Sequence, residues 1–150
     1  MRYHRLPNKG GRTVDMTALM LVEDHALFAE SLVRILHGKG DLEVVKVAKS
    51  GEEALKDMPD LQVDLVLVDI SLPKMNGIDL VTKLQQKYPG IPCMMISGHL
   101  SRRFVSRSLE AGARGYAIKD SSAGIIEGIH RVLDGEIYVS KELRGFDRLH

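Results

Sequence analysis

A chain of 150 residues, 44% hydrophobic and 27% charged, suits one folded domain that needs neither disulfides nor a structural metal to hold its core. Its 21 Lys and Arg against 20 Asp and Glu exclude a bulk field drawing it to nucleic acid or a membrane surface. One cysteine excludes an internal disulfide framework, no apolar stretch nears the roughly 18 residues of a membrane span, and no signal h-region follows the basic N-terminus, so a cytoplasmic protein is expected.

Residues 1–16 contain Arg2, Arg5, Lys9 and Arg12 with Gly10, Gly11 and no apolar period, which predicts a basic flexible arm. A first apolar strand runs from Ala18 to Val22 and ends in Glu23-Asp24. His25–His37 follows as a helix with Phe28, Leu32, Ile35 and Leu36 on one face, stopped by Gly38 and Gly40. Val44–Ala48 reads as a second strand. Ser50 is placed to cap a short helix through Met58, with Glu53 as its capping-box partner.

The third strand, Leu65–Val68, is an apolar run broken abruptly by Asp69 and then by a loop carrying Pro73 and Gly77. Short runs of this kind suit strands buried on both faces. Ile78, Leu80, Val81 and Leu84 describe an amphipathic helix that ends near Pro89-Gly90. Ile91–Ile96 is the fourth strand, closing on Ser97-Gly98. It holds Cys93, which reads as a buried, inert thiol. Leu100–Ala111 predicts a polar helix, rich in Arg and Ser, that packs loosely and exposes most of its surface. A short fifth strand, Tyr116–Ile118, ends at Lys119. Ser121 or Ser122 caps a last helix with Ile125, Ile126, Ile129, Val132 and Leu133 at helical spacing. Residues 136–150 form a linker-like tail that begins with the extended piece Ile137-Tyr-Val-Ser.

Five strands alternating with five helices predict an α/β fold: a doubly wound five-stranded parallel sheet, order 2-1-3-4-5, with helices on both faces and right-handed crossovers. A barrel would need about eight such units. In this order the strand ends bring Glu23, Asp24, Asp69, Ser97 and Lys119 to one edge. Three converging carboxylates repel one another unless a cation neutralises them, and hard oxygen ligands without a Cys or His pair favour Mg2+. A carboxylate beside a divalent ion, a hydroxyl and an ammonium suits a phosphoryl group, with Asp69 as the nucleophile and Ser97 and Lys119 supporting its oxygens.

The span from about Thr17 to Ser140 resembles a response-regulator receiver domain of two-component signalling. The resemblance rests on Glu23-Asp24, the Asp69-x-x-Leu-Pro-x-x-x-Gly77 loop, Ser97 and Tyr116-Ala-Ile-Lys119. It is most similar to receivers of the NarL/LuxR type through Glu23-Asp-His-Ala-Leu-Phe28, Leu109-Glu-Ala-Gly-Ala-Arg-Gly-Tyr116, Lys119-Asp-Ser-Ser and Asp134-Gly-Glu-Ile-Tyr-Val-Ser140. The resemblance implies a flavodoxin-like receiver over 17–135, phosphorylated on Asp69 by a sensor histidine kinase or phosphotransfer protein, with slow self-catalysed transfer and hydrolysis rather than enzymatic turnover. It implies Mg2+ held by Glu23, Asp24, Asp69 and the Ser71 backbone carbonyl, with Ser97 and Tyr116 as a switch pair. The altered surface would be strand four, helix four, strand five and helix five, or a helix-one/helix-five face, and a phosphorylation-dependent homodimer is a further expected partner. Glu23 stands where Asp is more frequent, Gly98 where Ala is common, and Asp120 where a cis-Pro is usual; each leaves the essential groups in place. His25 and His99 lie near the site as modulating neighbours.

Receivers of this type usually precede a helix-turn-helix, and no recognition helix can be built from Lys141–His150. The chain reads as a stand-alone receiver that binds no nucleic acid or membrane directly. The alternatives are the receiver fragment of a DNA-binding transcriptional regulator and a pseudo-receiver binding module that never takes phosphate. A small hydrolase with an aspartyl-phosphate intermediate lacks a second acid/base carboxylate.

Overall fold

The computed structural model describes residues 16–144; the arm expected over 1–16 and the last six residues of the tail lie almost wholly outside them. The elements in chain order are β1 (Thr17–Val22), α1 (Ala26–His37), β2 (Leu42–Ala48), α2 (Gly51–Asp57), a 3-10 turn (Met58–Asp60), β3 (Leu65–Asp69) and α3 (Gly77–Lys87). They continue with β4 (Cys93–Ser97), α4 (Arg102–Glu110), β5 (Gly115–Ile118), α5 (Ser122–Leu133), β6 (Tyr138–Val139) and α6 (Lys141–Arg144).

All strand pairings are parallel, in the order β2-β1-β3-β4-β5-β6. The expected order holds for the first five, and the sheet has a sixth strand in place of a free β5 edge. Ile137-Tyr-Val-Ser was expected to be extended, but its partner is set by tertiary contact rather than by its own pattern.

The sheet divides the core by the two-residue period of its strands. Leu19, Leu21, Leu65, Leu67, Met94, Ile96 and Ala117 face α1 and α5. Met20, Val22, Val66, Val68, Met95, Tyr116 and Ile118 face α2, α3 and α4. Every residue of β1, β3, β4 and β5 is buried, which is why these strands read as unbroken apolar runs.

Local chemistry sets several boundaries. Ser50 Oγ accepts from Glu53 N–H at 3.0 Å, as a cap should, but the Glu53 carboxylate reaches back to Lys49 N–H at 3.3 Å, one residue before the cap. Ser121 is the residue that caps α5, accepting from Gly124 N–H. Strand four begins at Cys93 rather than Ile91, because Pro92 has no N–H to give the ladder and contributes only its carbonyl, to Val66 N–H. Ile35 lies 41% exposed rather than in the core, while Leu32 and Leu36 carry the buried face of α1. Helix α4 is held more firmly than expected. Its own Val105 and Ser108 are buried, with Phe104 and Leu109 packed against the core beside them.

Candidate functional site

The strands of a parallel sheet end together, and here the ends of β1, β3, β4 and β5 meet. Glu23 and Asp24 follow β1, Asp69 closes β3, Ser97 closes β4 and Lys119 follows β5. One carboxylate oxygen from each of Glu23, Asp24 and Asp69 lies within 4.8 Å of the other two. Glu23 and Asp69 are buried, and Asp24 is exposed at the rim.

Lys119 ties this cluster together. Its Nζ lies 2.9 Å from Glu23 Oε1 and 3.3 Å from Asp69 Oδ2, and it also sits 4.7 Å above the Phe28 ring. The remaining Glu23 oxygen, Oε2, accepts from His25 N–H at 3.1 Å. Glu23 Oε1 makes no well-aligned hydrogen bond among the described residues, so its ion-pair contact leaves lone-pair capacity unused. A buried carboxylate oxygen with spare lone pairs beside two more carboxylates is a donor set for a hard cation.

Burial raises the Glu23 carboxyl above its ordinary value, with the charge of Asp69 adding to the effect; the Lys119 and His25 contacts offset only part of it. Burial alone would lower the Lys119 ammonium. The Glu23 hydrogen bond and the charges of Asp69 and Glu23 outweigh that penalty and leave it raised, so the ammonium stays charged.

The loop after β3 aims Asp69. Ser71 N–H donates to Asp69 Oδ1 at 3.0 Å, and Lys74 takes the left-handed φ of +60° within the same loop. Gly77 opens α3 against the backbone of that loop. A Cβ there would collide with the Asp69 carbonyl and stand 2.8 Å from Ile70 Cα. Asn76 caps α3 through its side chain, which accepts from Asp79 N–H.

Ser97 and Tyr116 share the other wall. Ser97 is fully buried, and its Oγ accepts from His99 N–H at 2.9 Å. Tyr116 is also fully buried and donates its hydroxyl to the His99 carbonyl at 3.1 Å. Burial raises its phenol, offset in part by the Ser97 hydroxyl. The His99 ring stands edge-on to Phe104, with Nε2 3.4 Å from Ser71 Oγ. Both histidines named from the sequence thus border the site, His25 by its backbone and His99 through the β4–α4 loop. Cys93 lies deep in β4, its thiol pushed up to about 12 by burial.

Glu23, Asp24, Asp69, Ser71, Ser97 and Lys119 lie at this edge, with Tyr116 reaching it through its hydroxyl, while Cys93 lies at the far end of β4. Phe28 was read only as part of an apolar helix face, and its seat under the ammonium was missed. Its place inside Glu23-Asp-His-Ala-Leu-Phe28 was the available signal. The contribution of the segment after α5 was also missed.

Residues 19–130 match the family model described as "Response regulator receiver domain". Among curated proteins the chain is 34% identical over 122 residues to the transcriptional regulatory protein DegU of Brevibacillus brevis, covering 81% of this chain and 52% of that protein. It is 33% identical over 129 residues to the response regulator GacA of Pseudomonas viridiflava, covering 85% and 60%. The same identity and length relate it to the transcriptional regulatory protein UhpA of Escherichia coli, covering 85% and 64%. The chain therefore spans between half and two-thirds of the curated relatives it matches.

Among solved structures, a two-component response regulator of the LuxR family from Aurantimonas sp. SI85-9A1 superposes with a TM-score of 0.86 at 26% identity, covering 90% of this chain and 99% of that one. The signal receiver domain of the NarL regulator from Mycobacterium tuberculosis superposes at 0.76 with 28% identity, covering 81% and 98%. A match over residues 19–130, a doubly wound sheet and these relatives agree: the chain belongs to the response regulator receiver domain family of two-component signalling, on the NarL/LuxR side of it.

Proposed function

We propose that this chain is a phosphoacceptor receiver in which Asp69 takes a phosphoryl group from a sensor histidine kinase or a phosphotransfer protein. The observation that carries this reading is the cluster of Glu23, Asp24 and Asp69 oxygens within 4.8 Å, bridged by the Lys119 ammonium. A carboxylate oxygen of Asp69 attacks phosphorus, an acyl O–P bond forms, and the P–N bond of the donor phosphohistidine breaks. Lys119 balances charge on the phosphoryl oxygens, and Ser97, whose Oγ accepts from His99 N–H, has its O–H to donate to one of them.

Glu23, Asp24, Asp69 and the Ser71 carbonyl would hold Mg2+, whose chemistry there is to neutralise negative charge between carboxylates and phosphoryl group. The convergence of three carboxylates, two of them buried, against the Lys119 ammonium supports that fit. Hydrolysis of the acyl phosphate is slow and self-catalysed, so the chain works as a timed switch and not as a turnover enzyme. Tyr116 follows Ser97 as the second member of the switch pair, and the altered surface runs over β4, α4, β5 and α5 or over an α1–α5 face that pairs two copies.

The receiver expected over 17–135 carries this chemistry, after a basic arm over 1–16, and the tail expected over 136–150 begins by adding β6 and α6 to its sheet edge. It works in the cytoplasm, where the kinase delivers phosphate. No helix among the described residues is long and apolar enough to cross a membrane. A second reading is favoured by coverage: DegU and UhpA are transcriptional regulatory proteins nearly twice the matched length or half as long again. The chain would then be the receiver portion of a DNA-binding regulator, and reading the coding sequence beyond His150 tests this.

The deciding experiment incubates the 150-residue protein with acetyl phosphate and Mg2+ and traps acyl phosphate with hydroxylamine. Wild type is expected to label and Asp69→Asn to lose the label. Equal labelling of the two would remove Asp69 from the mechanism.

A further inference from the structure

The β6–α6 segment grips the sheet edge from both faces. Val139 pairs in register with Tyr116, so the two side chains stand next to each other on the α4 side of the sheet. Val139 packs against the apolar layer that holds Tyr116 and Ile118, and Leu143, 1% exposed, enters the same layer from α6. On the opposite face Tyr138 drops into a cradle left by two glycines of α5. A Cβ on Gly128 would stand 2.8 Å from its ring, and one on Gly124 would stand 3.4 Å from its hydroxyl.

Polar contacts tie the segment to the strand that carries the site. Ser140 N–H donates to the Tyr116 carbonyl at 3.0 Å, and Ser140 Oγ accepts from Ile118 N–H at 3.0 Å. Ser140 is buried, and lifting the segment would strip the Ile118 amide of this acceptor. Ile118 directly precedes Lys119. Tyr116 in turn holds the His99 carbonyl, and the His99 amide holds Ser97 Oγ. A continuous set of contacts thus runs from Val139, Ser140 and Leu143 to both Lys119 and Ser97.

We propose that residues 137–144 form a strap of positioning residues for the Asp69 site, and that docking of this strap and occupation of Asp69 by a tetrahedral phosphoryl group strengthen each other. The coupling rests on the reading of Asp69 as phosphoacceptor. It is reciprocal by necessity: a ligand that orders the Ser97–His99 loop and fixes Lys119 steadies Tyr116 and Ile118, and so tightens the strap. A loosened strap weakens that ligand by the same factor.

The test uses the full chain with beryllofluoride and Mg2+ as the phosphoryl mimic, followed by amide hydrogen exchange. Adding the mimic is expected to slow exchange across 137–144 about five-fold or more. Leu143→Ser and Ser140→Ala are expected to weaken mimic affinity by a similar factor in titration calorimetry, while the exposed control Glu52→Gln on α2, outside the strap and the site, leaves it unchanged. Mimic binding to wild type with no change in strap exchange would overturn the coupling and leave the phosphoacceptor reading standing. Failure of wild type to bind the mimic or to form acyl phosphate would overturn both. The exchange measurement is made on wild type, so it decides even if a strap variant folds poorly.

Discussion

Glu23 and Lys119 meet 2.9 Å apart although they leave the sheet from strands separated by two others. The carboxylate is fully buried and the ammonium about one-fifth exposed, so the pair is anchored on the acidic side.

That asymmetry makes stability depend on pH in a definite direction. Burial raises the Glu23 carboxyl above its ordinary 4.5. A raised value means that the folded chain holds the proton more tightly; the favourable contribution is complete below the unfolded value and fades as pH climbs through the folded one. At neutral pH the Glu23 charge is therefore a net burden. Glu23→Gln is expected to raise Tm at pH 7 in metal-free buffer, because the amide fills the same buried site without a charge to desolvate. The gain should shrink toward pH 4. Thermal melts across that range check it, and an unchanged or lower Tm at pH 7 would refute the assignment.

Magnesium should reverse the burden. At about 100 times its Kd a ligand of the folded state adds roughly 2.7 kcal/mol, which thermal melts with and without Mg2+ will register. Asp24→Asn is expected to lose most of that rise while its metal-free stability stays within about 0.5 kcal/mol of wild type, because Asp24 is exposed. A full rise in the variant would remove Asp24 from the ligand set.

Gly77 is irreplaceable for a steric reason. Its added methyl would meet backbone at Asp69 and Ile70, which cannot rotate away as a side chain end can. Gly77→Ala is expected to cost about 1–3 kcal/mol by overpacking and to lower acyl-phosphate yield by shifting Asp69. Urea unfolding with hydroxylamine trapping reads both effects. A variant as stable and as active as wild type would show that the loop has more room than the geometry gives.

Cys93 offers a probe of global opening. With its thiol held near 12 by burial, it should resist a disulfide reagent at pH 8 in the folded protein and react with one equivalent in denaturant. Rapid reaction of the native chain would place the fourth strand nearer the surface.

Most of the site was legible because buried parallel strands announce their own ends. Leu65–Val68 is apolar until Asp69, and Tyr116–Ile118 until Lys119, so strand order alone brought the carboxylates and the ammonium together. The parts that stayed hidden depend on contacts between distant segments. The strand at Tyr138–Val139 is two residues long and carries no period of its own. Its seat was written instead in Gly124 and Gly128, whose missing side chains inside α5 mark a close approach that no local rule assigns to a tyrosine ten residues further on. The buried Ser108 and Val105 of α4 were masked by the arginines on its outer face. Phe28 was recognisable as core but not as the floor beneath a cation.

An open sheet has two rims that invite a neighbouring chain to add a strand. Here β6 and α6 cover the β5 rim. On the other side the pairing of β2 slips between Val44 and Lys46, leaving Val45 as an extra residue, and Lys46 is bound by Glu53 at 3.0 Å and Asp57 at 2.8 Å. A kinked strand with a charge at its centre is a poor template for intermolecular ladders. Both rims of the folded sheet are thus shaped against the strand addition that would join one copy to another.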